Sequence, residues 1–151
     1  MDKAERLKLF QEWFCDTIPH NKALGLKVVD ARKGFASMRL EWRAELVGNP
    51  VTGVLAGGPL TAMLDGCCGM SVATMLTKPE PFATLDLRID YVRPAEPGKA
   101  VIAEAECYRI TRSFAHHGDA KDPIAAAAGT FMLGTKGEVM RPQMTRPEVG
   151  I

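Results

Sequence analysis

The longest stretch dominated by apolar and small positions covers residues 60–76, LTAMLDGCCGMSVATML. Its apolar positions fall on every side of a helix, and a helix of that kind is normally buried. The pattern predicts a buried central helix over residues 57–77, in which Asp65 is the one charge. Small residues recur along it at helical spacing and predict the close approach of another backbone: Ala62, Gly66, Gly69 and Ala73.

A second periodic pattern opens the chain. Apolar positions three and four residues apart predict an amphipathic helix over residues 2–18, ended by Pro19. Residues 20–25 are then a connection. We expect this helix to pack on the outside of the domain or over the mouth of a pocket.

Six segments are interpreted as strands, and two of them, 35–42 and 83–92, alternate between apolar and polar positions as strands with one buried face do. The longest directs Leu87 and Tyr91 to one face and Asp86 to the other, and strict alternation places Thr84 on the Asp86 face. Short connections between the last three segments predict an antiparallel meander. The six predicted strands are 26–32, 35–42, 83–92, 101–110, 113–118 and 124–133.

The element order is a helix, two strands, a long buried helix and about four antiparallel strands, which is an α+β fold. An apolar helix beside an antiparallel sheet hides its sides only if the sheet wraps around it. With 151 residues and 46% hydrophobic composition, the chain predicts a single domain over residues 1–151. Charges and prolines predict a tail at about residues 137–151, and residues 44–52 predict a loop.

Composition narrows the class of protein. The net charge is +1 with no basic cluster, so nucleic acid is not an expected partner. A membrane span needs about 20 apolar residues; the central run is shorter and contains Asp65, so we expect no membrane contact. The N-terminus lacks a signal-peptide apolar core, and adjacent Cys67 and Cys68 suit reduced thiols. These features predict a cytoplasmic protein.

Asp65 is the leading chemical candidate. A carboxylate in an apolar helix can act as a general base or a nucleophile. It can equally be a structural group satisfied by backbone donors or by an arginine, because burying an unpaired carboxylate is costly. Thr61, one turn earlier, is a possible polar partner. The residues alone leave both interpretations open.

Two further candidates lie just ahead of Asp65. Gly57 and Gly58 stand where the helix begins, and free N–H groups at a helix start can stabilise an oxyanion, although two glycines also suit an ordinary turn. Asn49 could donate to a substrate carbonyl or hold a water, although Asn-Pro is also a turn former.

The three histidines do not suggest a metal site. His20, His116 and His117 lack metal-ligand spacing, and adjacent strand positions face opposite sides of a sheet. We interpret all three as surface or interface residues. The sequence also shows no Ser-His-Asp arrangement and no phosphate-binding glycine loop.

The segment around Asp65 resembles a known family. Asn49-Pro50, Gly57-Gly58 and Asp65 stand where hotdog-fold acyl-CoA thioesterases of the phenylacetate-pathway type have Asn-Pro, the glycines of His-Gly-Gly and the central-helix Asp. Thr84, in ATLDLRIDYVRPA, resembles the family's Ser/Thr ahead of a Pro-Ala turn. The ending AAAAGTFML resembles the family's last strand, and the similarity covers about residues 20–135.

The resemblance implies a hotdog fold, in which a curved antiparallel sheet wraps a long central helix, with the N-terminal helix as an addition. It implies a homodimer joined edge to edge, or a dimer of dimers, with sites between subunits. The implied reaction hydrolyses acyl-CoA or a similar thioester to free acid and thiol, and it needs no metal or organic cofactor.

The resemblance also implies roles for individual residues. Asp65 would be the base or nucleophile, the Gly57 N–H the oxyanion donor, Asn49 an orienting group and Thr84 an auxiliary polar contact. Arg93 or Arg112 could meet coenzyme A phosphates, although either could be a solvated surface arginine. The implied substrate contacts are Gly58, Arg112, Ser113 and Phe114.

Ala56 departs from the family pattern, because the family has a histidine at that position. A side chain that would align or polarise the thioester is therefore missing. A second interpretation follows, that of an acyl-thioester-binding hotdog protein with little or no turnover. A hydratase or dehydratase on the same fold would lack the histidine that such chemistry uses.

Overall fold

The computed structural model describes residues 2–78, 80–108 and 111–134, with the side chains of Thr111 and Arg112 excepted. The predicted tail lies outside these residues. The helical elements are α1 (Lys3–Phe10), a π-helical turn (Gln11–Asp16), α2 (Pro19–Leu24), a 3₁₀ turn (Ala44–Leu46) and α3 (Gly57–Ala73). The strands are β1 (Lys27–Arg32), β2 (Phe35–Leu40), β3 (Val47–Asn49), β4 (Val54–Leu55), β5 (Phe82–Tyr91), β6 (Val101–Cys107), β7 (Thr111–His116) and β8 (Ala125–Leu133).

Six of the strands form one antiparallel sheet in the order β1-β2-β6-β7-β8-β5. Strands β3 and β4 make a separate two-stranded ribbon. The sheet packs against α3 through β1, β2, β5, β6, β7 and β8. This arrangement confirms the α+β architecture and the hotdog fold expected from the sequence.

The strand bounds shift by a few residues from their predicted positions. β2 ends at Leu40, before Trp42, and β7 ends at His116, before Gly118. The predicted loop over residues 44–52 contains a 3₁₀ turn and β3. Helix α3 begins at Gly57 as expected but ends at Ala73, before the predicted residue 77. Just after its end, the Thr74 hydroxyl donates to the Ser71 carbonyl and accepts from the Gly34 N–H.

One side of α3 is not covered, contrary to the prediction of a helix buried all round. Leu60, Met63 and Leu64 are buried against the sheet, whereas Gly58 and Thr61 are exposed and Asp65 is half-buried. These last three residues recur at three-and-four spacing, so they form one stripe. The polar residues of α3's first half therefore lie on its open side.

Gly66 and Gly69 of α3 pack against side chains and not against another backbone. A Cβ on Gly69 would lie 3.3 Å from Phe82, 3.6 Å from Phe131 and 3.8 Å from Phe14. Phe82 and Phe131 themselves meet edge to face at 6.1 Å. Gly69 thus lets three aromatic rings close on the helix. Such aromatic packing offsets part of the roughly 1 kcal/mol that an internal glycine costs.

The N-terminal helical region is divided differently from its prediction. A capping box of Asp2 and Glu5 starts α1, and the helix continues into a π-helical turn that ends at Asp16. Pro19 does not end a helix: it occupies the first turn of α2, where its missing N–H has no helical partner. Gly25 closes α2 in the left-handed conformation at φ 70°.

This region covers one edge of the main sheet. Gln11 accepts a 2.8 Å hydrogen bond from the Val28 N–H and donates to the Leu26 carbonyl at 3.3 Å. Arg6 donates to the Ala31 carbonyl at 2.5 Å. The side chains of the N-terminal helix therefore pair with backbone groups that edge strand β1 would otherwise expose. Of the two outer strands, β5 has no comparable cover among the described residues.

No helix in the described part of the chain is both long enough and apolar enough to cross a bilayer.

Candidate active site

Asp65 and Thr84 form the polar centre of the open side of α3. The Thr84 hydroxyl donates a 2.8 Å hydrogen bond to one carboxylate oxygen of Asp65. Neither a backbone amide nor an arginine contacts this carboxylate among the described residues. Its second oxygen has no hydrogen-bond partner among the described residues and is available for a water or a substrate.

A β-bulge brings Thr84 to this position. Thr84 pairs with Phe131 and Asp86 pairs with Thr130, so Leu85 is an extra residue in β5. A bulge shifts the alternation by one residue, which places Thr84 on the helix face together with Phe131. Strict alternation had assigned it to the Asp86 face, and that prediction was wrong. Leu85 points outward and is 60% exposed.

The start of α3 offers backbone donors. Gly57 is the first helical residue, and Ala56 before it provides no side-chain cap. A Ser, Thr, Asp or Asn at this place would occupy one of the free N–H groups, and Pro59 has none. The exposed glycines Gly57 and Gly58 therefore present uncapped N–H groups at the positive end of the helix dipole.

Two hydroxyl groups hold the carbonyl of Gly57. Tyr91 donates to it at 3.0 Å, Thr61 approaches it at 3.1 Å, and the two hydroxyls are 2.7 Å apart. Thr61 thus partners Tyr91 and Gly57, not Asp65 as considered from sequence. The alternation of β5 placed Tyr91 on the helix face, but only the structure shows that its hydroxyl reaches the helix start.

Asn49 makes a local turn. Its side-chain oxygen accepts from the Val51 N–H at 3.0 Å and from the Thr52 N–H at 3.3 Å, and its carbonyl accepts from Gly53 at 2.8 Å. The turn-forming interpretation is confirmed for the oxygen. The side-chain NH₂ group is exposed with the rest of the residue, so a donor role stays a prediction.

A shallow groove of about 410 Å³ adjoins the start of α3. Gly57, Leu60 and Tyr91 form the side next to the helix. The rest of the lining is mostly apolar: Val54, Leu55, Val92, Arg93, Pro94 and Ala95. We call it the α3 groove. Its apolar walls suit an aliphatic chain, and its helix end suits a carbonyl oxygen.

The predicted substrate contacts on β7 are separated by the sheet. Ser113 is fully buried on the helix side, so the structure does not support it as a contact for a ligand at the surface. Phe114 is 39% exposed on the opposite face. The side chain of Arg112 lies outside the described atoms. Arg93 donates to the Asp122 carboxylate at 2.7 Å and is not a freely solvated arginine.

His116 is not a surface residue as predicted, because only 3% of it is exposed. It accepts from the Gly118 N–H at 3.0 Å, and its other ring nitrogen lies 3.5 Å from Glu104. His117 on the opposite face accepts from the Glu96 N–H at 2.8 Å. Within the described residues no group of three or more His, Cys, Asp or Glu could hold a metal.

The cysteines of α3 are not nucleophiles. Burial and the nearby Asp65 carboxylate raise the pKa of Cys68 to about 12, and burial raises the pKa of Cys67 well above its usual value. Cys67 contacts the carbonyls of Ala36 and Ala103 at 3.4 and 3.5 Å. Both remain neutral thiols at physiological pH, so neither competes with Asp65 as the candidate reactive group of this helix.

Known proteins with similar sequences decide the family. A model described as the thioesterase superfamily matches residues 52–117. The chain is 31% identical over 148 residues to the medium/long-chain acyl-CoA thioesterase YigI of Salmonella typhimurium, covering 86% of this chain and 95% of that protein. The chain belongs to the thioesterase superfamily.

Solved structures agree with membership in the superfamily. A Pseudomonas aeruginosa protein is 39% identical with a TM-score of 0.74, covering 84% of this chain and 98% of its own. A mutant of the phenylacetic acid degradation protein PaaI from Thermus thermophilus is 28% identical with a TM-score of 0.64, covering 76% of this chain and 97% of its own. The predicted family is confirmed, and thioester hydrolysis is the supported reaction class.

Proposed function

We propose that this protein hydrolyses acyl-CoA, with Asp65 as base or nucleophile and the N–H groups at the start of α3 as oxyanion donors. The observation that carries the proposal is the Asp65 carboxylate. It is half-buried, oriented by Thr84 through one oxygen, and open at the other on the uncovered side of α3. Membership in the thioesterase superfamily supports thioester hydrolysis as the reaction for this geometry.

The chemistry follows one of two routes. Asp65 takes a proton from a water whose oxygen attacks the thioester carbonyl carbon, or its own oxygen attacks to give a mixed anhydride that water then hydrolyses. In both routes negative charge develops on the carbonyl oxygen, and the helix N–H groups stabilise it. The C–S bond then breaks, coenzyme A leaves as a thiolate that takes up a proton, and the acid is released.

One chain does not bring the two parts of this site together. Asp65 follows Gly57 by eight residues of the same helix, about 12 Å along its axis, and the free N–H groups point away from Asp65. A carbonyl is only about 1.2 Å long, and attack and hydrogen bonding each act over about 3 Å. A second copy of the chain therefore completes the site.

Strand β5 supplies the place where a second copy would join. Thr84 lies beside Asp65 near one end of β5, and Tyr91 lies beside Gly57 at the other. Because β5 is an open edge of the sheet, it can pair antiparallel with its own copy about a two-fold axis near Leu87. Such pairing places the Asp65 end of one subunit against the Gly57 end of its partner.

The charges of β5 disfavour one neighbouring register of this pairing. When Leu87 lies opposite the partner's Leu87, Asp86 lies opposite the partner's Arg88. The two-fold axis produces this pair twice. Moving the axis by one residue, to Arg88, places Arg88 opposite the partner's Arg88 and Asp86 opposite the partner's Asp90. Opposite charges across strands are stabilising and like charges are destabilising, so the charges favour an axis at Leu87 over one at Arg88. An axis at Ile89, which pairs Arg88 with the partner's Asp90, is matched equally well in charge but lies farther from the midpoint between Thr84 and Tyr91.

The acyl group is expected to be medium or long. The relative named above is a medium/long-chain acyl-CoA thioesterase, and the apolar walls of the α3 groove suit an aliphatic chain. Coenzyme A would then extend over the exposed surface. The protein's own residues carry the reaction, so we expect no metal or organic cofactor.

A second candidate function is acyl-thioester binding with little turnover. The observation that favours it is Ala56, which provides no polar side chain at the helix start. Loss of one donor at an oxyanion site costs about 10²–10³ in turnover. The two candidates differ in one measurable respect, the release of thiol.

The test incubates the protein with acyl-CoA substrates of increasing chain length and measures the released coenzyme A with a thiol reagent. Thiol release that Asp65→Asn abolishes and the exposed control Asp16→Asn leaves at the parent rate supports the proposal. Tight binding of acyl-CoA by the parent without thiol release supports the binding protein. Parent-level hydrolysis by Asp65→Asn contradicts the role of Asp65.

A further inference from the structure

The hydroxyl pair at the start of α3 is not part of the proposed chemistry, and it surrounds the backbone on which that chemistry depends. Tyr91 comes from the end of β5 and Thr61 from the second turn of α3, and both reach the Gly57 carbonyl. Strand and helix thereby meet at a single oxygen atom. Tyr91 is also 51% exposed and lines the α3 groove.

We propose that Tyr91, held by Thr61, is a positioning residue that fixes the Gly57–Gly58 peptide and directs the Gly58 N–H as a second oxyanion donor. The inference rests on the proposed function. The Gly57 carbonyl and the Gly58 N–H belong to one planar peptide unit and point in opposite directions. Fixing the oxygen therefore fixes the donor. Hydrogen bonds to the carbonyl also polarise the unit and strengthen its N–H as a donor.

A count of protons supports positioning over direct contact with the substrate. Each hydroxyl has one proton, and the two hydroxyls share three short contacts of 2.7, 3.0 and 3.1 Å. One proton goes to the Gly57 carbonyl, and the other goes either to that carbonyl or to the neighbouring hydroxyl. Neither is left for a ligand. The pair therefore does not replace the polar side chain missing at Ala56 but acts through the peptide.

Packing explains why residue 57 is glycine. A Cβ on Gly57 would lie 3.1 Å from the Tyr91 hydroxyl oxygen and 3.3 Å from the adjoining ring carbon. The tyrosine would have to move, and its hydrogen bond to the carbonyl would lengthen. In contrast, a Cβ on Gly58 would meet nothing within 4 Å. The requirement for glycine at 57 thus comes from Tyr91, whereas position 58 is open toward the ligand side.

The experiment measures steady-state acyl-CoA hydrolysis by Tyr91→Phe, Thr61→Val and Thr61→Ser. The controls are Tyr108→Phe, at the other tyrosine of the chain, and Thr130→Val, at an exposed threonine of β8. Removing either hydroxyl is expected to lower kcat about tenfold, a fraction of a full donor's effect, with KM within about twofold. Thr61→Ser keeps the hydroxyl and is expected to keep the parent kcat, as are both controls.

A cycle with Gly57→Ala adds a second readout. If the added methyl acts by displacing Tyr91, Gly57→Ala lowers kcat and the double variant with Tyr91→Phe is little worse than either single one. Parent-level kcat in Tyr91→Phe, a change confined to KM, or failure of Thr61→Ser to retain activity would overturn the inference while leaving Asp65-dependent hydrolysis intact. A parent protein that releases no thiol would instead remove the proposed function, and this inference with it.

Discussion

The Thr84 hydroxyl lies 2.8 Å from the Asp65 carboxylate because Leu85 adds one residue to β5 and turns Thr84 toward α3. The bulge thus connects a feature of the sheet to the orientation of the candidate catalytic group. If Leu85 instead took part in regular alternation, Thr84 would share the outward face of Asp86 and Asp65 would have no side-chain partner from the strand.

Replacing Thr84 tests that connection. Thr84→Val keeps the β-branched shape and removes the donor, so the carboxylate loses its fixed orientation. We expect kcat for acyl-CoA hydrolysis to fall about tenfold, in the range typical of lost positioning contacts, while Thr84→Ser retains activity. Circular dichroism and a thermal melt check the fold. Equal rates for the valine and serine variants would show that the hydrogen bond has no part in the reaction.

The proposed register of β5 predicts a charge swap. Arg88→Asp places a carboxylate at position 88 opposite the partner's Asp86, twice across the two-fold axis, and we expect the dimer to dissociate more readily on dilution. The double variant Asp86→Arg/Arg88→Asp restores opposite charges and is expected to regain the dimer. Sedimentation velocity over a dilution series measures both. A dimer that is unchanged by Arg88→Asp, or weakened equally by the double variant, excludes the axis at Leu87.

Thiol reactivity reports the state of the four cysteines. Burial raises the pKa of Cys15 to about 11, and burial with Asp65 raises that of Cys68 to about 12, while Cys107 is the half-buried one. We expect the native protein at pH 8 to react with a thiol reagent at Cys107 alone, and at all four after denaturation. The native Cys107→Ser variant is expected not to react with the thiol reagent. Rapid reaction of that variant would mean that either α3 or the π-helical turn containing Cys15 opens.

The same shifts set the direction of alkaline stability. Because the thiol pKa values are raised in the folded state, the stability that neutral thiols contribute is complete below their unfolded value near 9.0 and is lost as pH rises toward 11–12. Chemical denaturation at pH 8 and pH 10 should show a lower free energy of unfolding at the higher pH. The difference in free energy of unfolding between the two pH values is expected to be smaller in Cys68→Ala.

Position 56 provides a test by gain of function. Ala56→His introduces the polar side chain that the related family has there, and we expect kcat to rise if the rest of the site has the family geometry. Ala56→Leu is the matched control, because it adds bulk without a donor. The backbone of Gly48 packs closely against Ala56, with a Cβ there only 2.8 Å from the Ala56 Cα, so a thermal melt must accompany the assay. A folded histidine variant no faster than the parent would show that the pocket has been rebuilt.

Much of the fold follows from periodicity in the sequence. The apolar run of α3 and the alternation of the strands predict one helix wrapped by an antiparallel sheet, because each pattern has only one way to bury its apolar face. The uncovered stripe of α3 was missed. Glycine, threonine and aspartate at positions 58, 61 and 65 are too small a signal against a strongly apolar background.

The finer features depend on contacts that no local pattern contains. The bulge at Leu85 leaves an apolar residue on the outer face, where alternation alone predicts an inward position. His116 is buried although it lies on the outward face of its strand, because burial there depends on neighbouring strands. The sequence pattern indicates a helix end at Pro19, but proline is equally suited to the first turn of a helix. Only the structure of the residues after Pro19 distinguishes a helix end from a helix start.

The central claim is that Asp65 of one subunit and Gly57 of its partner serve one thioester. Asp65→Asn removes the carboxylate. Gly57→Pro removes the N–H at a first helical position, where the backbone tolerates proline, and Ala56 ahead of it, at φ −63° and ψ 150°, already has the conformation that precedes proline. The proline Cβ also displaces Tyr91, so this variant disables the Gly57 end of the site by both effects. Each homodimer is expected to be inactive.

The decisive measurement is the acyl-CoA hydrolysis rate of the heterodimer of these two variants, isolated through two different affinity tags. One of its two sites carries both substitutions and the other carries neither. We predict about half the rate of a tagged parent dimer, as two-fold symmetry requires. A purified heterodimer no more active than either inactive homodimer would contradict a site shared between subunits.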